Sequence, residues 1–494
     1  MKNWILSTAL SIFTLALGFG LSPEQAQGST VAIVDSGTDF EHVDIAGHQW
    51  TNVNEKLGNR IDDDRNGKVD DNNGWNFVDG YHRVFFREHL RDVDPIAYQL
   101  IAIIARKQAK TPAPGDEEYW KEQVDSLLGD DKNTLLAHLN FFGGYAHGTH
   151  VAGIVVSQAP GAKLLSARIF PDDVAPALGE RPKKPSSGAG VAMFGLLDRV
   201  YQLLAIVTNG VFGIVSEYLH QSKADVANYS VGVSMKMLAE NFLKIKGKSN
   251  PTPEELQAES QRIYSQYEPV GRKWIESATE TLFVIAAGND GSDNDVLPTF
   301  PANLRLNNSI TVAATHGSKS LAEFSNFGAT TVDIAAPGVA IESSVPSLDR
   351  QTRLPMSGTS MAAPYVTGVA AHVKDLNPAL KATEIRELLM KTVDKKSWLE
   401  GKVVSAGLIN PARAYAAAEL SRSQSLAEAV TASFETVPVV IEEPVVVPPV
   451  ASAPESAPQA PAETQPGAET PPPGEAFVRT RRGSLDEFAS KLLF

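Results

Sequence analysis

Short apolar runs alternate along the chain with longer segments in which apolar residues recur at helical spacing. Uninterrupted apolar runs are typical of parallel strands buried on both faces, and the longer segments fit the helices that connect such strands. The pattern predicts an α/β fold with an open, mostly parallel sheet and helices on both faces. The predicted strands are Thr30–Val34, Lys163–Ile169, Asp225–Tyr229, Leu282–Ala287, Ile310–Ala314 and Val332–Ala336.

The same periodicity predicts the helices between and after these strands. A further segment, 84–140, has a helical and charged pattern, which predicts a helical insertion over residues 81–140. The other predicted helices are Thr149–Ser157, Val191–Asn209, Pro253–Thr281, Thr359–Leu376, Ala382–Thr392 and the closing helix Asn410–Leu420.

The first 26 residues have the pattern of a secretory signal peptide. Lys2 precedes an uncharged run from Trp4 to Leu21, and a stretch rich in small and turn-forming residues follows. An uncleaved membrane anchor is the alternative, because the run is almost long enough to span a bilayer. Polar and glycine residues dilute the run and favour the signal peptide. We therefore expect a protein that is secreted, periplasmic or held in the cell envelope.

The C-terminal part differs in composition from the rest of the chain. Eleven of the 31 prolines, and five glutamates without a cation, fall between Pro438 and Pro473. This composition predicts an extended, disordered linker over residues 426–476. Residues 477–494 form a basic and amphipathic terminal peptide, which is either a frayed end or a docking segment for an envelope surface or a protein partner.

Composition and charge exclude several classes of function. The 494 residues are 43% hydrophobic, so a sizeable core can form, and the formal net charge is −14. This negative net charge argues against a nucleic-acid partner, because binding to the phosphate backbone needs clustered positive charge. The absence of cysteine excludes disulfides, thiolate metal sites and cysteine nucleophiles. We also expect no organic cofactor and a monomeric protein.

The first candidate reactive group is a carboxylate at the end of a predicted strand. Asp35 follows four apolar residues directly in Val31-Ala32-Ile33-Val34-Asp35-Ser36-Gly37. A carboxylate at such a buried position is costly unless it is hydrogen-bonded. Asp35 is therefore expected to have a dedicated partner, although alone it could also cap a turn or a helix.

Two histidines, His147 and His150, lie three residues apart in His147-Gly148-Thr149-His150-Val151-Ala152-Gly153. They could be metal ligands, but no neighbouring residues complete a zinc site. The interpretation we favour is that His147 stands at the start of a helix, where its imidazole can reach a nucleophile. His150, one turn into that helix, is expected to pack in the core.

The third segment places a serine among small residues at a predicted helix start, in Ser357-Gly358-Thr359-Ser360-Met361-Ala362-Ala363-Pro364. Small neighbours let a substrate backbone approach a nucleophilic hydroxyl, although an isolated serine there is more often an ordinary cap. The strand end Ala286-Ala287-Gly288-Asn289-Asp290 adds an amide donor that can face an oxyanion.

Together these motifs resemble those of the subtilisin-like serine proteases. The resemblance covers about Val31 to Ala417, with the three segments in the family order of aspartate, histidine and serine. It implies that Asp35, His147 and Ser360 form a catalytic triad in an exported endopeptidase and that Asn289 is an oxyanion donor. A lipase or esterase would instead show a Gly-x-Ser-x-Gly elbow and a different order of triad residues.

The resemblance also implies a set of substrate contacts. The segment Asn228-Tyr229-Ser230-Val231-Gly232 resembles a strand that pairs with the backbone of an extended polypeptide substrate. The end of the next strand would form a wall of the primary specificity pocket. The implied contact residues are Ser230, Val231, Gly232, Ala286, Ala287 and Gly288.

An acidic segment, Asp62-Asp63-Asp64-Arg65-Asn66-Gly67-Lys68-Val69-Asp70-Asp71, resembles the first half of a calcium-binding loop. Asn73 stands where a complete loop has a glutamate. A structural calcium ion is expected here, and a solvated acidic turn is the alternative. The implied ligands are Asp62, Asp64, Asn66 and Asp70.

The resulting organisation is a signal peptide over 1–26, one peptidase domain over 29–420 that contains the 81–140 insertion, and the linker and terminal peptide. His147 lies 112 positions after Asp35, which is a long separation for the family. A protein with the same fold but an unused site, which would bind or scaffold a partner, remains the alternative function.

Overall fold

A ten-stranded sheet forms the centre of the molecule in the computed structural model, which describes residues 28–127, 130–171 and 210–438. The strand order is β13-β14-β10-β8-β6-β4-β1-β3-β2, with β9 paired to β8. All neighbouring pairs are parallel except β13–β14 and β8–β9. The predicted fold class is therefore confirmed.

Most of the sheet strands lie within a residue or two of their predicted positions. The strands are β1 Thr30–Asp35, β2 Gly74–Asn76, β3 Lys163–Arg168, β4 Val226–Tyr229, β5 Val233–Ser234, β6 Leu282–Ala286, β7 Thr299–Phe300, β8 Ser309–His316, β9 Ser320–Leu321, β10 Ile334–Pro337, β11 Ile341–Ser344, β12 Arg353–Met356, β13 Asp394–Lys395 and β14 Gly407–Leu408. Two antiparallel pairs, β5–β7 and β11–β12, stand outside the main sheet.

Helices cover both faces of the sheet. They are α1 Ile96–Gln108, α2 Asp116–Trp120, α3 Asp130–Gln158, α4 over residues 210–221, α5 Met235–Ile245, α6 Pro253–Glu276, α7 Thr359–Leu376, α8 Ala382–Lys391, α9 Pro411–Leu420 and α10 Leu426–Thr436. Short 3₁₀ turns form at Arg87–Asp92 and Ser397–Leu399, and one π-helical turn forms at Lys121–Asp125. The predicted signal peptide, the predicted helix Val191–Asn209, the linker beyond residue 438 and the terminal peptide lie outside the described residues.

The side chains of β1 point alternately to the two faces of the sheet, each of which has its own core. Val31 and Ile33 pack with α1, α3, α7 and α8 on one face. Ala32 and Val34 pack with α4, α5 and α6 on the other. Successive side chains of a strand point to opposite faces, so an uninterrupted apolar run fills both cores at once and places Asp35 where the strand leaves them.

The predicted start of the histidine-bearing helix was wrong. A helix was predicted from Thr149, but α3 begins at Asp130 and runs for 29 residues, so His147 lies in its interior. Glycines at 143, 144 and 148 weaken the local helical signal before Thr149. Each costs only about 1 kcal/mol in a helix, and burial of Leu139, Phe142 and Tyr145 in the core offsets that cost.

The region predicted as an insertion packs into the main core. It contains the 3₁₀ turn at Arg87–Asp92, α1, α2 and the first part of α3. Leu100, Ile101 and Ile104 of α1 are buried in the same cluster as β1 and α7. Helix α1 also contacts β12 and α3, which places the insertion against the elements that carry the candidate active site.

The predicted start of the disordered linker was also wrong. Residues 426–436 form α10, so the ordered chain extends beyond the predicted domain end at residue 420. Ser425 and Glu428 form a reciprocal capping box at its start. Helix α10 packs on α9, where the buried Arg413 guanidinium lies 4.4 Å from the ring centroid of Phe434 and its Nε donates to Val437 O at 3.0 Å.

Replacement of Phe434 by alanine tests whether α10 belongs to the folded domain. Loss of a partly buried aromatic side chain should lower the free energy of unfolding by about 2 kcal/mol, because the ring packs against the core and covers Arg413. Urea unfolding measures the change. Glu435→Ala, at the exposed neighbouring position, is the control and should change stability by less than about 0.5 kcal/mol. Equal, small changes in both variants would contradict the packing of α10.

Candidate active site

Asp35 and His147 form a buried hydrogen-bonded pair at the carboxyl edge of the sheet. Nδ1 of His147 lies 2.8 Å from Oδ1 and 3.0 Å from Oδ2 of Asp35. Asp35 is fully buried, and Ser36 N donates to its Oδ1 at 2.7 Å. Because a carboxylate only accepts, the pairing assigns the proton to Nδ1 and leaves Nε2 as an acceptor. Nε2 is buried and has no hydrogen-bond partner among the described residues.

A close backbone approach brings these two side chains together. A Cβ atom at Gly148 would lie 2.2 Å from Gly37 O, so only glycine lets α3 come this near to the loop after β1. Gly148 N donates to Ser36 Oγ at 3.1 Å, and Asp39 N donates to Thr149 Oγ1 at 3.0 Å. The two residues after His147 therefore attach α3 to the loop that follows Asp35.

Ser360 is the second residue of α7, and it is buried. Its Oγ donates to Ser230 O at 3.2 Å, while Ser230 Oγ donates to Ser360 O at 2.8 Å. The Ser360 carbonyl is available because Pro364, four residues later, has no N–H to donate to it in the helix. The two serines thus hold the start of α7 against the end of β4.

Asn289 is fixed to the same helix start through Thr359. Its Oδ1 accepts from Thr359 N at 2.8 Å and from Thr359 Oγ1 at 2.9 Å. Gly288 N donates to Thr359 Oγ1 at 3.1 Å. Because Oδ1 accepts both of these bonds, the amide nitrogen Nδ2, at the other corner of the same planar group, points away from Thr359. Sequence reasoning missed the role of Thr359, although it stands next to Ser360 within the motif.

Two adjacent strands bring the implied substrate contacts to one edge. β4 pairs with β6 in parallel, with Tyr229 opposite Ile285. Ser230, Val231 and Gly232 follow β4. Ala286 ends β6, and Ala287 and Gly288 follow it, so both groups leave the sheet side by side. Gly288 has φ of +110°, and a Cβ there would lie 2.5 Å from Asn326 Nδ2, so this turn requires glycine.

A cavity of about 930 Å³ opens beside Asn289. Asp290 and Gly291 line one part of it, and Lys107 and Gln108, at the C-terminal end of α1, line another. The insertion therefore contributes directly to the surroundings of the candidate site.

His150 does not join His147 in a metal site. It is fully buried, its Nε2 lies 2.9 Å from Leu354 O, and its own carbonyl accepts from Ser343 Oγ at 2.7 Å. Burial lowers the pKa of His150 to about 3. It is therefore a neutral residue that joins α3 to the hairpin β11–β12.

The acidic loop brings together a different set of oxygens from the one expected. Carboxylate oxygens of Glu55, Asp62 and Asp64 lie within 4.8 Å of one another. Asp70 lies outside this group, and its two oxygens accept from Gly58 N and Arg60 N at 2.8 and 3.1 Å, so its role as a ligand stays a prediction. Asn66 lies beside Asp64, to which its Nδ2 donates at 3.2 Å. Glu55 was missed because it precedes the recognisable motif.

Comparison with known protein families identifies the family of this chain. The family model described as the subtilase family matches residues 142–415, more than half of the chain. This protein therefore belongs to the subtilase family. The match includes His147, Asn289 and Ser360, whereas Asp35 lies before it.

Individual relatives match a shorter stretch. The chain is 42% identical over 116 residues to alkaline elastase YaB from Bacillus sp. (strain YaB), which is 24% of this chain and 28% of that protein. It is 37% identical over 138 residues to subtilisin Savinase from Lederbergia lenta, which is 28% of this chain and 47% of that protein. The matched segments thus span less than half the length of these relatives.

Solved structures give a broader but more distant similarity. A lanthipeptide protease matches 81% of this chain and 90% of its own, with a TM-score of 0.44 and 16% identity. A cold-adapted subtilisin-like serine proteinase matches 78% of this chain and 88% of its own, with a TM-score of 0.40 and 20% identity.

The buried, neutral His150 predicts a pH dependence of stability. Its folded pKa lies below that of the unfolded chain, so between about pH 6.5 and 3 the unfolded state binds the extra proton. Stability should therefore fall as pH decreases through this range. In His150→Gln, which keeps an N–H donor but does not titrate, denaturant unfolding should show a shallower acidic slope than in the wild type. An identical slope in both proteins would contradict the assignment.

Proposed function

We propose that this protein is an exported serine endopeptidase that uses Asp35, His147 and Ser360 as a catalytic triad. The observation that carries the proposal is the hydrogen bond between Asp35 and His147 Nδ1. It orients the imidazole and leaves Nε2, which has no partner among the described residues, able to accept a proton. Membership of the subtilase family supports the same reaction.

The proposed reaction begins with the hydroxyl of Ser360. In this structure Oγ donates to Ser230 O, and we propose that it donates to His147 Nε2 instead once substrate binds. Catalytic hydrogen bonds are often long or unformed before substrate binds. With a peptide present, Nε2 takes the proton as Oγ attacks the scissile carbonyl, and Asp35 stabilises the imidazolium. His147 then gives the proton to the leaving amine, and water hydrolyses the acyl-enzyme by the same steps.

The developing oxyanion requires donors that are in place before the reaction. Asn289 Nδ2 and the backbone N–H of Ser360 are the donors we propose. Thr359 supports this role, because its N–H and hydroxyl both hold Oδ1 of Asn289 and so fix the orientation of the amide. Fixed donors need no reorganisation as charge develops, which makes them effective in catalysis.

Substrate would bind as an extended strand beside the end of β4. Ser230, Val231 and Gly232 would pair with its backbone, and Ala286 to Gly288 would form a wall of the pocket for the residue before the cleaved bond. Because the substrate backbone must be extended to pair in this way, the substrates are unfolded or loop segments of polypeptides.

Export is part of the proposal and rests on the N-terminal sequence pattern. Within the described residues, no helix combines the length and apolar character needed to cross a bilayer. Comparison of the mature N-terminus with the translated sequence, by mass spectrometry of protein recovered outside the cytoplasm, would test it.

A serine-directed fluorophosphonate probe tests the nucleophile directly. The wild type should be labelled and Ser360→Ala should not, because the probe reacts with an activated serine hydroxyl. Labelling of both proteins would place the reactive hydroxyl on another residue and contradict the proposal. Labelling of neither, when circular dichroism shows that both are folded, would also contradict it and would favour an unused site that serves binding or scaffolding.

Asn289→Ala tests the oxyanion donor separately from the nucleophile. In subtilisin, loss of the asparagine donor lowers kcat by about 10² to 10³, and we adopt that scale for kcat on an unstructured peptide substrate. Fluorophosphonate labelling should still occur in this variant, more slowly. A kcat within about threefold of the wild type would exclude Asn289 from this role.

We also propose that the acidic loop binds a structural calcium ion through Glu55, Asp62 and Asp64. Calcium prefers several carboxylate oxygens, and three of them converge here within 4.8 Å. Each also accepts N–H bonds from the loop, as when Asn66 N and Gly67 N donate to Asp62. The backbone therefore already holds these carboxylates in one place, where a cation would relieve their mutual repulsion.

Removal of calcium should lower the melting temperature by several degrees, because an ion that binds only the folded state stabilises it. Thermal unfolding with calcium and with a chelator measures the difference. The double variant Asp62→Asn and Asp64→Asn is the control and should show the same midpoint in both conditions. A wild-type midpoint that does not respond to the chelator would contradict this site.

A further inference from the structure

The loop after Asp35 is held by two separate parts of the molecule. From one side, Gly148 N donates to Ser36 Oγ, and Asp39 N donates to Thr149 Oγ1. From the other side, the side chain of Asp39 forms an ion pair with Arg87 of the insertion. The ends of this loop are thus fixed four residues apart, at Asp35 and at Asp39.

The ion pair between Arg87 and Asp39 joins a partly buried guanidinium to a buried carboxylate. The Asp39 side chain is 1% exposed and that of Arg87 is 19% exposed. Burial raises the pKa of Asp39, and the Arg87 guanidinium opposes that effect. Removing one partner of a buried ion pair leaves an uncompensated charge, so the position of the Asp39 carboxylate depends on Arg87.

Arg87 also reaches the segment that leads to Ser360. Its Nη2 donates to Ser347 O at 2.7 Å, in the turn between β11 and β12, and its Nε lies 3.5 Å from Glu41 Oε2. Tyr98 of α1 donates to Pro346 O at 2.8 Å in the same turn. The planar, multiply donating guanidinium suits such a junction, whereas an ammonium group is a single point charge.

We propose that Arg87 is a positioning residue for the triad and that the insertion acts through it. By bridging Asp39 and Ser347 O, Arg87 holds the loop after Asp35 against α3 and against the hairpin that precedes Ser360. This inference rests on the proposed peptidase function. The insertion is then a permanent part of the catalytic domain that keeps the Asp35–His147 pair aligned.

The kinetic test compares Arg87→Ala and Arg87→Lys with the wild type on an unstructured peptide. Arg87→Ala should lower kcat by about 10- to 100-fold, because small misplacements of catalytic groups have effects of that size, while KM changes by less than about threefold. Arg87→Lys should restore part of kcat, since lysine keeps a positive charge beside Asp39 but loses the contact with Ser347 O.

Arg106→Ala is the matched control for loss of stability. Arg106 forms a bidentate pair with Asp116 inside the same insertion, at 2.8 and 2.6 Å, and it contacts neither the loop after Asp35 nor the hairpin turn in the described structure. It should lower the melting temperature and leave kcat unchanged. Equal effects of Arg87→Ala and Arg106→Ala on kcat would show that Arg87 is merely structural and would overturn the proposal.

A double variant keeps the test valid if Arg87→Ala folds poorly. Asp39→Asn removes the buried charge, so Arg87→Ala combined with Asp39→Asn should fold better than Arg87→Ala alone. The kcat of the double variant should be no lower than that of the less active single variant, because both substitutions break the same ion pair. Multiplied losses of kcat would contradict an action of Arg87 through Asp39.

A measurement without turnover separates this inference from the proposed function. The Nδ1 proton of His147, shared with Asp35, should give a strongly downfield NMR signal in the wild type and in Arg106→Ala. In Arg87→Ala it should broaden or disappear as the pair loosens. If the wild type neither cleaves peptide nor reacts with a fluorophosphonate, the proposed function fails, but this signal still decides the role of Arg87. An unchanged signal in Arg87→Ala overturns it.

Discussion

The site depends on one buried hydrogen bond, between the carboxylate of Asp35 and Nδ1 of His147. Strand β1 places the carboxylate at the edge of a fully apolar core, where an unpaired charge would be costly. The need for donors then constrains the neighbouring segments. Ser36 N supplies one donor and His147 supplies the other. Gly148 must be glycine so that α3 can come close enough to deliver the imidazole.

The sheet can be predicted from local signals in the sequence, and the candidate triad follows from three short motifs that resemble those of the subtilisin-like proteases. Uninterrupted apolar runs mark strands buried on both faces, and the residues that end β1, β4 and β6 meet at one edge by the geometry of a parallel sheet. The helix start at Thr149 could not be located in the same way. Tertiary burial of Leu139, Phe142 and Tyr145 extends α3 through glycines that locally favour a break.

The start of helix α10 also had a signal in the sequence, but the composition of the stretch that follows outweighed it. Ser425 and Glu428 have the spacing of a capping box, yet the proline-rich stretch that follows suggested that disorder began at residue 426. Glu55 and Arg87 had no such signal. Glu55 joins Asp62 and Asp64 from just outside the recognisable motif, and Arg87 joins Asp39 only because the fold brings together residues that are far apart in sequence.

The central claim is that Ser360 is acylated with His147 as base and Asp35 as its orienting partner. The most direct measurement is the rate of acyl-enzyme formation with an activated peptide ester, with the acylated residue located by mass spectrometry. The account predicts an adduct on Ser360 that forms about 10⁴-fold more slowly in Asp35→Asn, where the imidazole loses its orienting carboxylate. An adduct on another residue, or an unchanged rate in Asp35→Asn, would contradict it.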